Sequence, residues 1–201
     1  MTEPTPLSVA RSELILGGQK SGKSRRAELL AHQWLAQSPD HRAVLIATAQ
    51  PWDEEMRQRI ALHQTDRAER VPGMRTVEEP LALADAIRQH SNAQTLVVVD
   101  CLTLWLTNLL MPAESATSLE SNRPLALVDI AQAASLLIAI EQAPGPVVLV
   151  GNEIGLGVIP MGREVRTFVD ALGRLNQDMA AACQRVTLMA AGLPLTLKDA
   201  S

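Results

Sequence analysis

"LILGGQKSGKSRRAE", residues 14–28, runs from a short apolar stretch through glycines, a lysine and a serine into a segment with helical spacing. Gly17, Gly18, Gln19, Lys20, Ser21, Gly22, Lys23 and Ser24 satisfy G-x-x-x-x-G-K-[ST], between a predicted strand and a predicted helix, where a phosphate loop requires it. Glycines let successive backbone N–H groups turn into one concavity, and the following helix presents its unpaired N–H groups and positive dipole end to the same anion. Lys23 would reach the terminal phosphates, and the Ser24 hydroxyl would coordinate Mg²⁺. The plainer alternative is a glycine turn that only caps a strand. The surrounding strand–loop–helix pattern favours nucleotide binding and with it an α/β chain.

Working outward, strands are predicted at Leu14–Leu16, Ala43–Ala47, Thr95–Val99, Val147–Val150 and Val186–Met189, with Leu195–Leu197 as a possible edge strand. Several are unbroken Val/Leu/Ile runs, as expected of strands covered on both faces of a mainly parallel sheet. Helical stripes lie between them: Ala27, Leu30, Ala31, Trp34 and Leu35; Leu127, Ile130, Ala131, Ala134, Leu137 and Ile138; Val165, Phe168, Val169, Leu172, Leu175 and Met179. Residues 1–11 are expected to be a flexible tail and residues 12–201 a single catalytic domain. Met111 to Pro124 has loop composition and is expected to be a mobile insertion.

The 201 residues are 47% hydrophobic and 20% charged, with a formal net charge of -4. That balance excludes a disordered chain and disfavours nucleic-acid binding through bulk positive charge. Aromatic residues make up 2%, with no tyrosine, too few for a base-stacking platform. Cys101 and Cys183 lack the spacing of a zinc site or a disulfide framework. With no apolar leader and no run long enough for a membrane span, a cytoplasmic protein is expected.

Three further segments carry candidate chemistry. "TLVVVDCLT" puts Asp100 directly after a strand, where it could hold a metal ion or cap the next helix. "PWDEEMRQRIALHQTDRAER" opens as a helix and carries His63 on the face of Met56 and Ile60, beside Arg57, Arg59, Arg67 and Arg70. That cluster could hold a polyphosphate against an imidazole, with Arg67 as a nucleotide contact; on spacing alone the reading of His63 as a packed or partly exposed core-edge residue wins. His32, His41 and His90 read as structural or solvated. "VVLVGNEIGLGVIP" puts Asn152 and Glu153 at a strand end, as substrate contacts or turn caps. Gly151, Gly155 and Gly157 would let backbone approach a substrate.

Together, GGQKSGKSRRAE, IATAQPWDEEMRQRIALH, VVVDCLTLWLTNLL, GNEIGLGVIPMGREVRTFVDALGRLNQDMAAAC and AAGLPLTLK resemble the bifunctional adenosylcobinamide kinase / adenosylcobinamide-phosphate guanylyltransferases of cobalamin biosynthesis, from Leu14 to Lys198. The resemblance implies a RecA-like P-loop fold and a homotrimer. It also implies two activities: phosphorylation of adenosylcobinamide by ATP or GTP, then transfer of GMP from GTP to adenosylcobinamide phosphate with release of pyrophosphate. By the same resemblance His63 carries the guanylyl group, and Thr48, Ala49, Gln50, Glu78 and Asp100 contact nucleotide. An imidazole is substantially neutral and nucleophilic near pH 7, which suits attack on phosphorus. Two other readings remain: a P-loop small-molecule kinase without guanylyl transfer, and a RecA-like nucleotide-switched binding protein.

Overall fold

Alternation along the strands decides the architecture, because successive side chains leave a strand on opposite faces. A computed structural model of the chain describes residues 7–51, 54–111, 125–158 and 160–200; the side chains of residue 59 and of residues 125–129 lie outside that description. The elements run β1 (Ser12–Gly17), α1 (Lys23–Gln37), β2 (Arg42–Ala47), α2 (Glu54–Arg70), β3 (Met74–Glu78), α3 (Leu83–His90), β4 (Thr95–Asp100), α4 (Leu102–Leu110), α5 (Leu125–Gln142), β5 (Val147–Asn152), α6 (Arg163–Ala182), β6 (Arg185–Ala190) and β7 (Leu193–Asp199). The strands form a sheet of order β3-β2-β4-β5-β1-β6-β7, parallel except for β7, which returns antiparallel to β6. This is the expected α/β fold with a mainly parallel sheet.

Leu14, Leu16, Val97, Val99, Val147 and Leu149 point into one core with α3, α4, α5 and α6. Ile15, Leu96, Val98, Val148 and Val150 point into the other, where α1 supplies Ala27, Leu30 and Ala31. Both faces of the central strands are therefore covered, and their runs need no polar alternation. Trp105, Leu102 and Leu106 of α4 are fully buried, each stabilising the fold by about 1.5–3 kcal/mol or more. Among the described residues no helix is long and apolar enough to cross a membrane.

Three expectations need correction. β3 does not appear among the predicted strands: it pairs with β2 alone, and its MRTVE sequence lacks the apolar run that a strand with neighbours on both sides requires. The stripe expected on α5 has the wrong phase. Ile130, Ala131, Ala134 and Ile138 are exposed, while Leu136, Ala139 and Ile140 enter the core and Leu137 alone of the described stripe packs against it; apolar residues are spread around the helix, so its period cannot choose a face. The expected loose tail is anchored from Leu7 onward. Leu7 and Val9 pack on the α1 face, and Ser8 accepts hydrogen bonds from Arg185. The insertion expected over Met111 to Pro124 lies, from 112 to 124, outside the described residues.

A buried carboxylate pins α1 to the sheet. Glu13 of β1 is fully buried and takes Arg26 Nε at 2.9 Å, Thr187 Oγ1 at 2.8 Å and Arg185 at 3.5 Å. Two cations and a hydroxyl around one carboxylate supply the compensation that a charge removed from water needs.

Candidate active site

β1 ends at Gly17, and the chain turns through the phosphate loop into α1, whose N-cap is Gly22 at φ 100°. Lys20 also has positive φ, 55°, and such changes of backbone hand gather N–H groups on one side of a loop. Gly18, Gln19 and Lys20 are exposed, whereas Ser21 is buried and its hydroxyl has no partner. Lys23 is buried too, and its Nζ donates to the Gly18 carbonyl at 2.7 Å. Desolvation lowers the Lys23 pKa below the usual lysine range, against the opposing fields of Cys101 and Asp100. The ammonium is thus held at the loop mouth with less hydration than a surface lysine.

The two leading glycines are not equivalent. A Cβ at Gly17 would lie 2.5 Å from both the Met189 carbonyl oxygen and Ser21 Oγ, whereas one at Gly18 would meet nothing within 4 Å. Gly17→Ala is therefore expected to destabilise the free protein by about 1–3 kcal/mol, a fall in Tm of roughly 2–12 °C at this chain length. Gly18→Ala should leave Tm near wild type. Thermal unfolding without nucleotide checks both, and equal Tm values would contradict the packing described.

The carboxyl edge of the sheet aligns the other candidates. Register places Glu78 beside Ala47, Ala47 beside Asp100, Asp100 beside Val150 and Asn152 beside Gly17. β5 lies between β1 and β4, so Asp100 is not on the strand next to the phosphate loop; Asn152 is. Strand spacing puts Asp100 about 10 Å across the sheet from Gly17, with its field reaching Lys23. Asp100 is half-buried and does not cap α4, because Cys101 holds the N-cap position. Burial, with the Asp100 charge, pushes the Cys101 thiol up to about 11, so it packs as a neutral thiol.

Glu153 continues the chain from β5, and its N–H donates to the Gly17 carbonyl at 3.1 Å. Its carboxylate is oriented from two sides: Asn176 Nδ2 reaches Oε2 at 3.3 Å and Gly155 N–H reaches Oε1 at 3.0 Å. Gly151 faces the core rather than a ligand, since a Cβ there would meet Leu16 at 3.2 Å and Asn176 Oδ1 at 3.5 Å. Thr48 is completely buried; its hydroxyl donates to the Cys101 carbonyl at 2.7 Å and accepts from the Cys101 N–H at 2.9 Å. Ala49 and Gln50 follow, half-buried. One hydroxyl at Ser24 and one carboxylate at Asp100 fit Mg²⁺, which takes few protein ligands and completes its shell with phosphate oxygens and water.

Several supporting residues went unread in the sequence. Thr103 Oγ1 accepts the Asn152 N–H at 2.9 Å, Asn176 Nδ2 donates to the Asn152 carbonyl at 3.1 Å, and Asn108 Nδ2 bonds the Thr48 and Pro80 carbonyls. Ala191 and Gly192, at φ 52° and 81°, form the tight β6–β7 turn that such paired positive angles permit. Gly192 N–H then braces the phosphate loop at the Ser21 carbonyl, 3.0 Å away. One signal was available: Thr103 and Asn108 interrupt an apolar helix, and a buried polar side chain needs a partner.

The sequence model of the cobinamide kinase / cobinamide phosphate guanyltransferase family matches residues 13–197. The chain belongs to this family. It is 47% identical over 187 residues to the bifunctional adenosylcobalamin biosynthesis protein CobP of Pseudomonas aeruginosa PAO1, covering 92% of this chain and 96% of that protein. It is 36% identical to the bifunctional adenosylcobalamin biosynthesis protein CobU of Escherichia coli K12, covering 92% and 98%. A solved chain from a structural study of a Pyrococcus horikoshii OT3 protein shares the fold, with a TM-score of 0.54 and 10% identity over 97% of this chain and 89% of that one.

Not every residue expected to act in this cobinamide kinase / guanyltransferase family member lies in the cluster around the loop. His63 is exposed on α2, nine residues beyond Glu54, about 14 Å along the helix, and has no hydrogen-bond partner among the described residues. Met56 and Ile60, on its face, are only half-buried. Arg67 is turned inward, donating to Thr76 Oγ1 at 3.2 Å. Two of the arginines expected to form a positive field around His63 are compensated by carboxylates of α2 and α1. Arg57 pairs with Glu54 at 2.9 Å, and Arg70 pairs with Asp66 at 3.0 Å and Glu28 at 3.3 Å. Glu78 is exposed at the end of β3, two strands from Asp100. His32 is exposed, His41 stacks on Trp34 at 3.8 Å, and His90 bonds Arg75 at 3.0 Å.

Proposed function

We propose that one catalytic domain, residues 12–201, phosphorylates adenosylcobinamide with ATP or GTP and then guanylylates the product through His63, giving adenosylcobinamide-GDP and pyrophosphate. The observation that carries this reading is the phosphate loop, with buried Lys23 in the field of Asp100, next to the Asn152–Glu153 turn in a chain of this family. In this reading the N–H groups of Gly17 to Ser24 and the Lys23 ammonium hold the β- and γ-phosphates. Ser24 and Asp100 would hold Mg²⁺, which supplies charge neutralisation on the phosphates. Asn152 and Glu153 face the acceptor, and the oriented Glu153 carboxylate takes the proton of the attacking hydroxyl as its oxygen bonds to the γ-phosphorus.

In the second reaction an imidazole nitrogen of His63 bonds to the α-phosphorus of GTP as the bond to pyrophosphate breaks. An oxygen of the corrinoid phosphate then displaces the imidazole. Thr48, Ala49, Gln50, Arg67 and Glu78 are assigned to this nucleotide. The test is incubation with GTP labelled at the α-phosphate: covalent label that survives base and is lost in acid is expected. No label under conditions where phosphorylation proceeds would leave a kinase without guanylyl transfer.

The reading includes a homotrimer working in the cytoplasm. Two free, buried cysteines suit a reducing compartment. Leu193, Leu195 and Leu197, at alternate positions of edge strand β7, are 56–70% exposed, an apolar edge that chains of this kind cover by association. Light scattering should give the mass of three chains, and a monomer at assay concentration would overturn this assignment.

A further inference from the structure

Among the described side chains of α2 only that of Arg67 is buried. The C-terminal end of the helix is tied down by Arg67 on Thr76 and by Arg70 on Glu28 of α1, and the N-terminal part follows the loop that precedes it. That loop starts at Thr48, whose N–H bonds the Asp100 carbonyl at 3.2 Å and whose hydroxyl bridges Cys101. Its carbonyl, facing the next residues of the loop, is held by Asn108 Nδ2 at 2.8 Å, and the same nitrogen bonds the Pro80 carbonyl at 3.1 Å. Two carbonyl acceptors leave no choice of amide orientation. Asn108 is 4% exposed, and one turn earlier on α4 Trp105 Nε1 donates to the Leu81 carbonyl at 2.9 Å. α4 thus ties the loop after β2 to the loop after β3.

We infer that Asn108 is a positioning residue for guanylyl transfer: its amide clamps the loops after β2 and β3 and so sets the direction in which α2 carries His63 away from the sheet. The inference rests on the reading of His63 as the guanylyl carrier. Among the described residues Asn108 bonds the Thr48 and Pro80 carbonyls and neither the Gly17–Ser24 loop nor the Glu153 turn, so the clamp acts on the second reaction more than on the first. A small error in the approach of a nucleophile can lower a rate by about a hundredfold, whereas a merely structural role would weaken both reactions together.

The experiment compares wild type, Asn108→Ala and Asn108→Asp; the last keeps the volume and sets a carboxylate against two carbonyls. Three quantities are read: the single-turnover rate of α-label transfer to His63, the phosphorylation rate, and amide hydrogen exchange of residues 54–63 against residues 17–24. The expected result is a label rate lower by about tenfold to a hundredfold, phosphorylation near wild type, and faster exchange confined to residues 54–63. Proportional loss of both activities, or an unchanged label rate in both variants, overturns the inference. If wild type itself takes no label, the reading of His63 fails instead. Exchange then still decides the clamp, and unchanged exchange over residues 54–63 sinks it.

Discussion

Lys23→Ala is expected to lower both phosphorylation and guanylyl transfer by about 10²–10³-fold, because in the proposed mechanism both reactions use the same triphosphate cradle. The physical reason lies in the burial of the ammonium. Its desolvation lowers the pKa despite the nearby Asp100 and Cys101, and its hydrogen bond in the free loop is to a neutral carbonyl, that of Gly18. A polyphosphate brings into contact with the ammonium a negative charge that Asp100 supplies only from a distance, and its affinity for the loop depends on that exchange. Removing the side chain deletes the cation without leaving a buried charge unpaired, so Tm without nucleotide should not fall appreciably. Steady-state rates, nucleotide affinity by calorimetry and thermal unfolding check the three parts. Retention of both activities within an order of magnitude would refute the role given to the loop. Arginine is not a conservative replacement here, since its rigid fork does not fit the place of a compact ammonium.

His63→Asn is expected to abolish covalent α-label and to lower guanylyl transfer by on the order of 10³ or more, as loss of a nucleophile does, while phosphorylation continues. The contrast with Lys23→Ala follows from location. His63 is exposed and makes no hydrogen bond among the described residues, so its replacement disturbs nothing in the phosphate loop. Stability should stay within about 0.5 kcal/mol of wild type, the usual range for a surface change. Peptide mapping of labelled wild type should place the label on residue 63. Label persisting in the variant, or phosphorylation falling in parallel, would remove His63 from the mechanism.

Legibility in the sequence differed from part to part. The phosphate-loop motif and its strand–loop–helix setting could be read because they are local: eight consecutive residues carry the glycines, the lysine and the hydroxyl. The central strands could be read because a strand covered on both faces must be apolar throughout. β3 escaped because an edge strand need not be, and α5 was given the wrong face because an apolar helix has no phase. The arginines of α2 suggested a cationic field, but their partners Glu54, Asp66 and Glu28 lie within reach only once helix geometry and the α1–α2 packing are known. Asp100 read correctly as a strand-end carboxylate, yet the strand beside the loop proved to be β5, an ordering the chain does not spell out.

Residue order by itself determined an α/β chain with a phosphate-loop motif over Gly17–Ser24 between a strand and a helix, since both follow from neighbours along the chain. Only tertiary structure decided what surrounds that stretch: Glu153 bonded to Gly17, the β6–β7 turn bracing Ser21, and α4 gathering the loops that begin at Thr48, Pro80 and Asn152. Those contacts join groups such as Asn108 and Thr48, 60 residues apart, or Thr103 and Asn152, 49 apart. Buried polar atoms must be satisfied, but which distant partner satisfies them is set by how the elements stack, and no local pattern carries that.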